Sequence, residues 1–177
     1  MTVKELKELF LRRQSCRAFS DRKVTKEQIE RICALASLAP SACNMQPWKV
    51  YALTGGKLPA AKELLLNAGK APFVADVPAL LVIAEDPREA KAKAPNLPYY
   101  TPGDVGEFTA HLLLAAEASG LSSCLLGWQN RPGFSDLLGI PDELSVPFVV
   151  ALGYAADGYE IRPKNRRPLS DTLLFAD

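Results

Sequence analysis

The chain holds one histidine, His111, in 177 residues. Serine–histidine or cysteine–histidine catalysis therefore rests on a single candidate base. His111 lies within an apolar helical pattern, where packing is its commoner role, and nothing local supports a pair with Cys43. The four cysteines, Cys16, Cys33, Cys43 and Cys124, show no CxxC spacing, which argues against a zinc or iron–sulfur site. They read as free thiols in a reducing compartment. There is no GxGxxG, no GxxxxGKS/T and no HExxH. No apolar run approaches the roughly 20 residues of a spanning helix. No basic start leads into an apolar signal stretch. The expected location is the cytoplasm. Net charge is +1, so no overall field draws the chain to nucleic acid or membrane. Acid–base chemistry by side chains is hard to place, which points to a cofactor carrying its own chemistry.

What is present suits one compact domain over residues 1–177, with 48% hydrophobic content to build its core. Thr2 with Glu5, and Thr25 with Gln28, are capping-box pairs opening two helices. Leu6, Leu9 and Phe10 form an apolar stripe on the first. Ile29, Ile32, Cys33 and Ala36 do so on the second, which Pro40 ends. "WKVYAL" (48–53) alternates as a strand, and Gly55-Gly56 turns the chain. A short helix over 59–69 follows, with Gly69 as its cap. "ALLVIA" (79–84) is a continuous apolar run, as in a strand buried on both faces. Four prolines between 86 and 103 predict a loop or lid. A helix over 106–120 is too widely apolar for one stripe and belongs in the core or a subunit interface. Strands over 122–128 and 147–155 flank a short helix at 132–140. A basic, proline-punctuated tail ends the chain, where "TLLF" could dock. The sum is an α+β domain.

Charge is uneven. Residues 1–31 carry nine Lys/Arg against five Asp/Glu, and "RPKNRR" (162–167) carries four basic groups and no acid. Arg13, Ser15 and Arg17 alternate after the first helix. Guanidinium forks and a short hydroxyl suit a phosphate. Lys164 and Arg166 could reach the same anion from the other end of the chain; a solvated basic surface is the alternative. "NAGK" (67–70) offers an amide for a heterocycle edge and a cation beside it.

These segments, in order, are "RRQSCRAF", "APSACNMQPWKV", "GLSSCLLGW", "LLGIPDEL", "ALGYA" and "RPKNRRPL". Together they resemble the nitroreductase family of FMN-dependent oxidoreductases over nearly the whole chain. The resemblance implies a mostly antiparallel sheet flanked by helices, in a homodimer with FMN at the subunit interface. It implies that Arg13, Gln14, Ser15 and Arg17 bind the FMN phosphate and ribityl chain. Lys164 and Arg166 would close on the phosphate, with Arg167 able to exchange roles with Arg166. Pro40, Ser41, Ala42 and Asn44 would approach the flavin bound mainly by the partner, with Gln46 supporting that loop. Asn67 and Lys70 would meet the pyrimidine edge, and Leu126 and Gly127 the N5 side. NADH or NADPH would donate hydride, and a nitroaromatic, quinone or similar small electrophile would accept it. Two other readings keep the flavin: a protein of this fold not turned over by NAD(P)H, and a non-catalytic FMN-binding protein. Gln14 stands where a basic residue or His is common, and the region 86–104 is short.

Overall fold

The computed structural model describes residues 2–69, 71–95, 100–127 and 131–176. Both capping boxes form as the sequence predicts. In α1 (Val3–Arg12) the Glu5 N–H donates to Thr2 Oγ1 at 3.2 Å, and the Thr2 N–H donates to Glu5 Oε2 at 2.6 Å. Thr25 and Gln28 do the same for α2 (Lys26–Ala36), at 3.2 and 3.0 Å. Each box satisfies two backbone donors that a helix start leaves orphaned.

Four strands follow: β1 (Trp48–Leu53), β2 (Ala79–Glu85), β3 (Ser122–Leu126) and β4 (Ser145–Gly153). They form one antiparallel sheet in the order β1-β2-β4-β3. All seven residues of β2 are buried, because both faces are covered. Leu80, Val82 and Ala84 point into one core, with α3 (Leu58–Asn67), α6 (Arg131–Leu138) and the Cys16–Phe19 segment. Leu81 and Ile83 point into the other, with α2 and α5 (Thr101–Ala118). The two-residue period of a strand produces this division. Trp48 joins the second core by stacking on Phe108, with ring centroids 4.8 Å apart.

The proline-rich stretch is not simply a loop. A short helix, α4 (Arg88–Lys93), occupies part of it, and α5 starts at Thr101, five residues earlier than the pattern predicts. Pro87 precedes the first residue of α4, and Pro102 sits in the first turn of α5, where a missing N–H costs nothing. Arg88 clamps Asp86 through Nε at 2.7 Å and Nη2 at 2.6 Å, and Lys49 adds a third cationic contact at 3.1 Å. The Arg88 hydrogen bonds hold the Asp86 carboxyl well below the usual carboxylate range. Buried Thr101 donates its hydroxyl to buried Glu85, which also accepts from Ser145 Oγ at 2.8 Å. That carboxylate ties the start of α5 to β2 and β4.

The two ends of the chain meet at β4. Phe19 and Ala155 form an antiparallel bridge, the Ser20 N–H donates to Tyr154 O, and the Ala156 N–H to Ala18 O. Gly153 permits this contact. A Cβ there would lie 2.6 Å from Pro78 Cγ and 2.9 Å from Phe19 Cδ1. The "TLLF" segment does not dock on its own chain: Leu174 and Phe175 are exposed. Among the described residues beyond Pro168, only one short turn, Leu169–Asp171, is regular.

Candidate functional site

The segment after α1 is held against two neighbours. Ser15 bridges Ser123 of β3 in parallel, and the Cys16 N–H donates to Ser123 O at 2.9 Å. On its other side lies the C-terminal segment. Gln14 Nε2 donates to Glu160 O at 3.0 Å. Gln14 Oε1 accepts from the Arg162 backbone N–H at 3.2 Å and from its Nε at 3.1 Å. Arg162 Nη2 donates to Ser15 O at 2.9 Å, Tyr159 Oη to the same oxygen at 3.2 Å, and Lys164 Nζ to Arg13 O. These bonds bring chain segments some 150 residues apart into register.

The result is a basic cradle of about 260 Å³ lined by Arg13, Gln14, Ser15, Arg17, Arg162, Pro163, Lys164 and Arg166. Five cations line it and no carboxylate does. The cations repel one another. Partial burial first, then the charges of Arg13 and Arg166, lower the Lys164 pKa from its ordinary value. A dianion with several acceptor oxygens would relieve that repulsion, and the donor set fits a phosphate monoester. Arg166 lines the cradle; Arg167 is not among its lining residues. Arg162 had been part of a basic run without a role of its own. The signal for it was that run of four basic groups. Gln14 faces the cradle but spends its amide on clamping the two chain ends together.

Beside the cradle, a cleft of about 440 Å³ has an apolar floor of Phe10, Leu11, Ala110, Leu113 and Leu114 under the Arg13, Lys164 and Arg166 rim. Phe10 and Leu11 are exposed, and α1 has no buried residue. Of the apolar stripe predicted for α1, Leu6 and Leu9 are partly buried and Phe10 is exposed.

The loop between α2 and β1 forms a separate group. Ala42–Asn44 makes a single 3₁₀ turn, and Cys43, Asn44 and Gln46 all have φ near +50°. Non-glycine residues rarely adopt that region. Ser41 Oγ accepts from the Gln46 N–H at 3.0 Å, Gln46 Nε2 reaches Asn44 Oδ1 at 3.3 Å, and the Trp48 N–H donates to Gln46 O at 2.8 Å. Met45 is buried; Pro40, Cys43, Asn44 and Gln46 are exposed. The Ala42 N–H donates to Asp104 Oδ1 in the first turn of α5, at 3.1 Å. Leu113, at the cleft beside the cradle, is nine residues further along α5, about 14 Å at the helical rise of 1.5 Å per residue. Neither the cradle nor the cleft is lined by any residue of 40–46. One chain does not bring the two groups together.

The remaining sequence-predicted positions lie at the ends of β3 and α3. Leu126 is buried at the end of β3, and Gly127 follows, exposed, with open space where a Cβ would go. From Ser123, the bridge partner of Ser15, Leu126 is three residues on, about 10 Å along a strand. Asn67 is the exposed last residue of α3, before Gly69 at φ +79°. Lys70 lies outside the described residues. His111 is exposed, and its Nδ1 lies 2.8 Å from the Glu107 carbonyl, to which it can donate as a local helix bond. The four cysteines are unpaired.

An α+β domain with one antiparallel sheet, helices on both faces and a basic cradle built by the two chain ends defines a narrow class of protein. The nitroreductase family model matches residues 11–68 and 57–154, and the chain belongs to that family. A nitroreductase family protein of Clostridium difficile has the same fold, with a TM-score of 0.78 and 25% identity, covering 96% of this chain and 97% of that one. By sequence the chain is 32% identical to a putative NADH dehydrogenase/NAD(P)H nitroreductase of Archaeoglobus fulgidus over 88% of each protein. It is 30% identical to an NADH dehydrogenase of Thermus thermophilus over 99% of this chain and 98% of that one.

Proposed function

We propose that the protein is an FMN-dependent oxidoreductase of the cytoplasm. It takes hydride from NADH or NADPH and passes it to a small electrophile such as a nitroaromatic or a quinone. The observation that carries this reading is the cradle: five cations and a serine, drawn from both ends of the chain, with no acid among them. Family membership supports the same reading. So do its relatives, which include an NADPH-flavin oxidoreductase of Vibrio harveyi and a 4-nitrobenzoate reductase of Pseudomonas putida.

When bound, FMN supplies the exchange of hydride at its N5, so no protein nucleophile is needed. The chain's own residues hold and tune. Arg13, Arg17, Arg162, Lys164 and Arg166 neutralise the phosphate, and Ser15 offers a hydroxyl. The roughly 10 Å from Ser15's partner Ser123 to Leu126 suits an extended sugar chain with a ring beyond it. Gly127 leaves open space for a ring at that end. Asn67 and Lys70 would serve the pyrimidine edge, where a cation favours electron density gained on reduction. The 40–46 loop, separate from the cradle in one chain, would complete the site from a second copy. In that homodimer exposed Phe10 and Leu11 of α1 and the rest of the cleft floor would be buried. The exposed Leu174 and Phe175 would find a surface there as well.

The test is a visible spectrum of the purified protein with added FMN, followed by anaerobic mixing with each nicotinamide. A bound flavin that bleaches rapidly is expected. A protein that stays colourless would remove the reading. Bound flavin that neither nicotinamide reduces would leave a flavoprotein with another electron donor.

A further inference from the structure

The described residues contain one buried side-chain oxygen without a hydrogen-bond partner, Asp104 Oδ2. Asp104 is 7% exposed, in the first turn of α5. Its other oxygen accepts the Ala42 N–H. Burying a carboxylate this poorly satisfied is costly. The favourable end of the helix macrodipole offsets part of that cost. A hydrophobic residue at this position would cost less, so the carboxylate has another use.

The loop it touches explains the use. Three of its residues, Cys43, Asn44 and Gln46, hold φ between 48° and 54°. Such backbone persists only where the surroundings fix it. Most of the loop's hydrogen bonds are internal: Asn44 N–H to Ser41 O, Met45 N–H to Ala42 O, and Gln46 N–H to Ser41 Oγ. Internal bonds shape the loop but do not place it. Of its side-chain hydrogen bonds among the described residues, the Asp104 bond reaches furthest, across 62 residues of sequence. We infer that Asp104 is a positioning residue. Its carboxylate fixes the left-handed Ser41–Gln46 loop onto α5 in the orientation that a bound flavin needs. The second half of that statement rests on the FMN reading above; the first does not.

The test compares wild type with Asp104→Ala, Asp104→Asn and Ala42→Pro. Asparagine keeps an oxygen for the Ala42 N–H. Proline removes that N–H while leaving Asp104 in place. It suits this position, because Ala42 opens the turn and Ser41 is extended at φ −151°, ψ 153°. Amide hydrogen exchange on the FMN-free proteins reads the loop directly. Exchange at Cys43–Gln46 is expected to rise at least about tenfold in Asp104→Ala and in Ala42→Pro, with the sheet still protected. Asp104→Asn should restore most of the protection. FMN titration of the same proteins should show affinity falling with loop protection.

If Asp104→Ala does not fold, Ala42→Pro and Asp104→Asn still decide. An unchanged loop in Ala42→Pro overturns the positioning role. So does an Asp104→Asn loop as loose as that of Ala42→Pro. A loosened loop with unchanged FMN affinity overturns the link to the flavin. A wild type that binds no FMN overturns the functional reading and leaves the exchange result to judge Asp104 alone.

Discussion

The cradle and the 40–46 loop are built in opposite ways. The cradle gathers like charges from distant parts of one chain, and hydrogen bonds between side chains and backbone at Gln14, Ser15 and Arg13 hold them in place. Its lining comes from one chain, and its cations repel one another. The loop is local, left-handed at three residues, and held on α5 through one buried carboxylate. Its exposed amides, Asn44 and Gln46, bond each other within the loop. A site shared between two copies has this division. In the homodimer proposed above, the cradle would receive the anion and the loop would face it from a second copy.

The largest expected effect breaks the cradle. Arg13→Ala should weaken FMN binding by roughly 2–5 kcal/mol if the pair with phosphate is desolvated. Fluorescence titration measures it, and an unchanged affinity would place the phosphate elsewhere.

Raising the pH should act in the same direction on a smaller scale. Lys164 loses its proton below the ordinary lysine value of 10.5. A bound phosphate favours the charged form, so FMN affinity falls as pH rises through that range. The loss should be up to about 1.5–3 kcal/mol, the size of one charged hydrogen bond. The FMN-free protein should respond with the opposite sign. Unfolding returns Lys164 to its ordinary value, so the unfolded chain binds more protons and folding stability rises with pH across that window. Lys164→Met should abolish both trends, as denaturant titrations at several pH values will show.

Gly153→Ala tests the frame that both regions share. A Cβ forced against Pro78 and Phe19 should cost about 1–3 kcal/mol of stability, read as a lower denaturation midpoint. FMN affinity should fall with it, because Phe19 leads back to the cradle. The smallest effect is a control. Thr25→Ala removes the α2 cap at a cost of about 0.5–2 kcal/mol. It should leave FMN affinity unchanged, since α2 does not line the cradle.

Much of this molecule is legible before folding. Thr2, Glu5, Thr25 and Gln28 announce two helix starts because a cap is a contact between residues three apart. "ALLVIA" announces a strand covered on both faces because it offers no polar side. Arg13, Ser15, Arg17, Lys164 and Arg166 are legible as a candidate anion-binding group by residue type and, through the family resemblance, by position, and one cradle gathers them. The proline-rich stretch misled the reading. Pro102 breaks a helix only in its interior, and buried Glu85 holding Thr101 decides that α5 begins there. That contact spans sixteen residues and leaves no local pattern.

Sequence alone determined the caps, the strand periods and the stock of cations, all of which depend on near neighbours and side-chain chemistry. Tertiary structure decided the rest. It chose Arg166 over Arg167 for the cradle wall and recruited Arg162, because the path of an irregular segment depends on what it packs against. It gave Gln14, a cradle-lining residue, hydrogen bonds to Glu160 and Arg162 that clamp the chain ends together. It buried Asp104 beneath a left-handed loop, where the worth of a carboxylate is set by a backbone N–H 62 residues away.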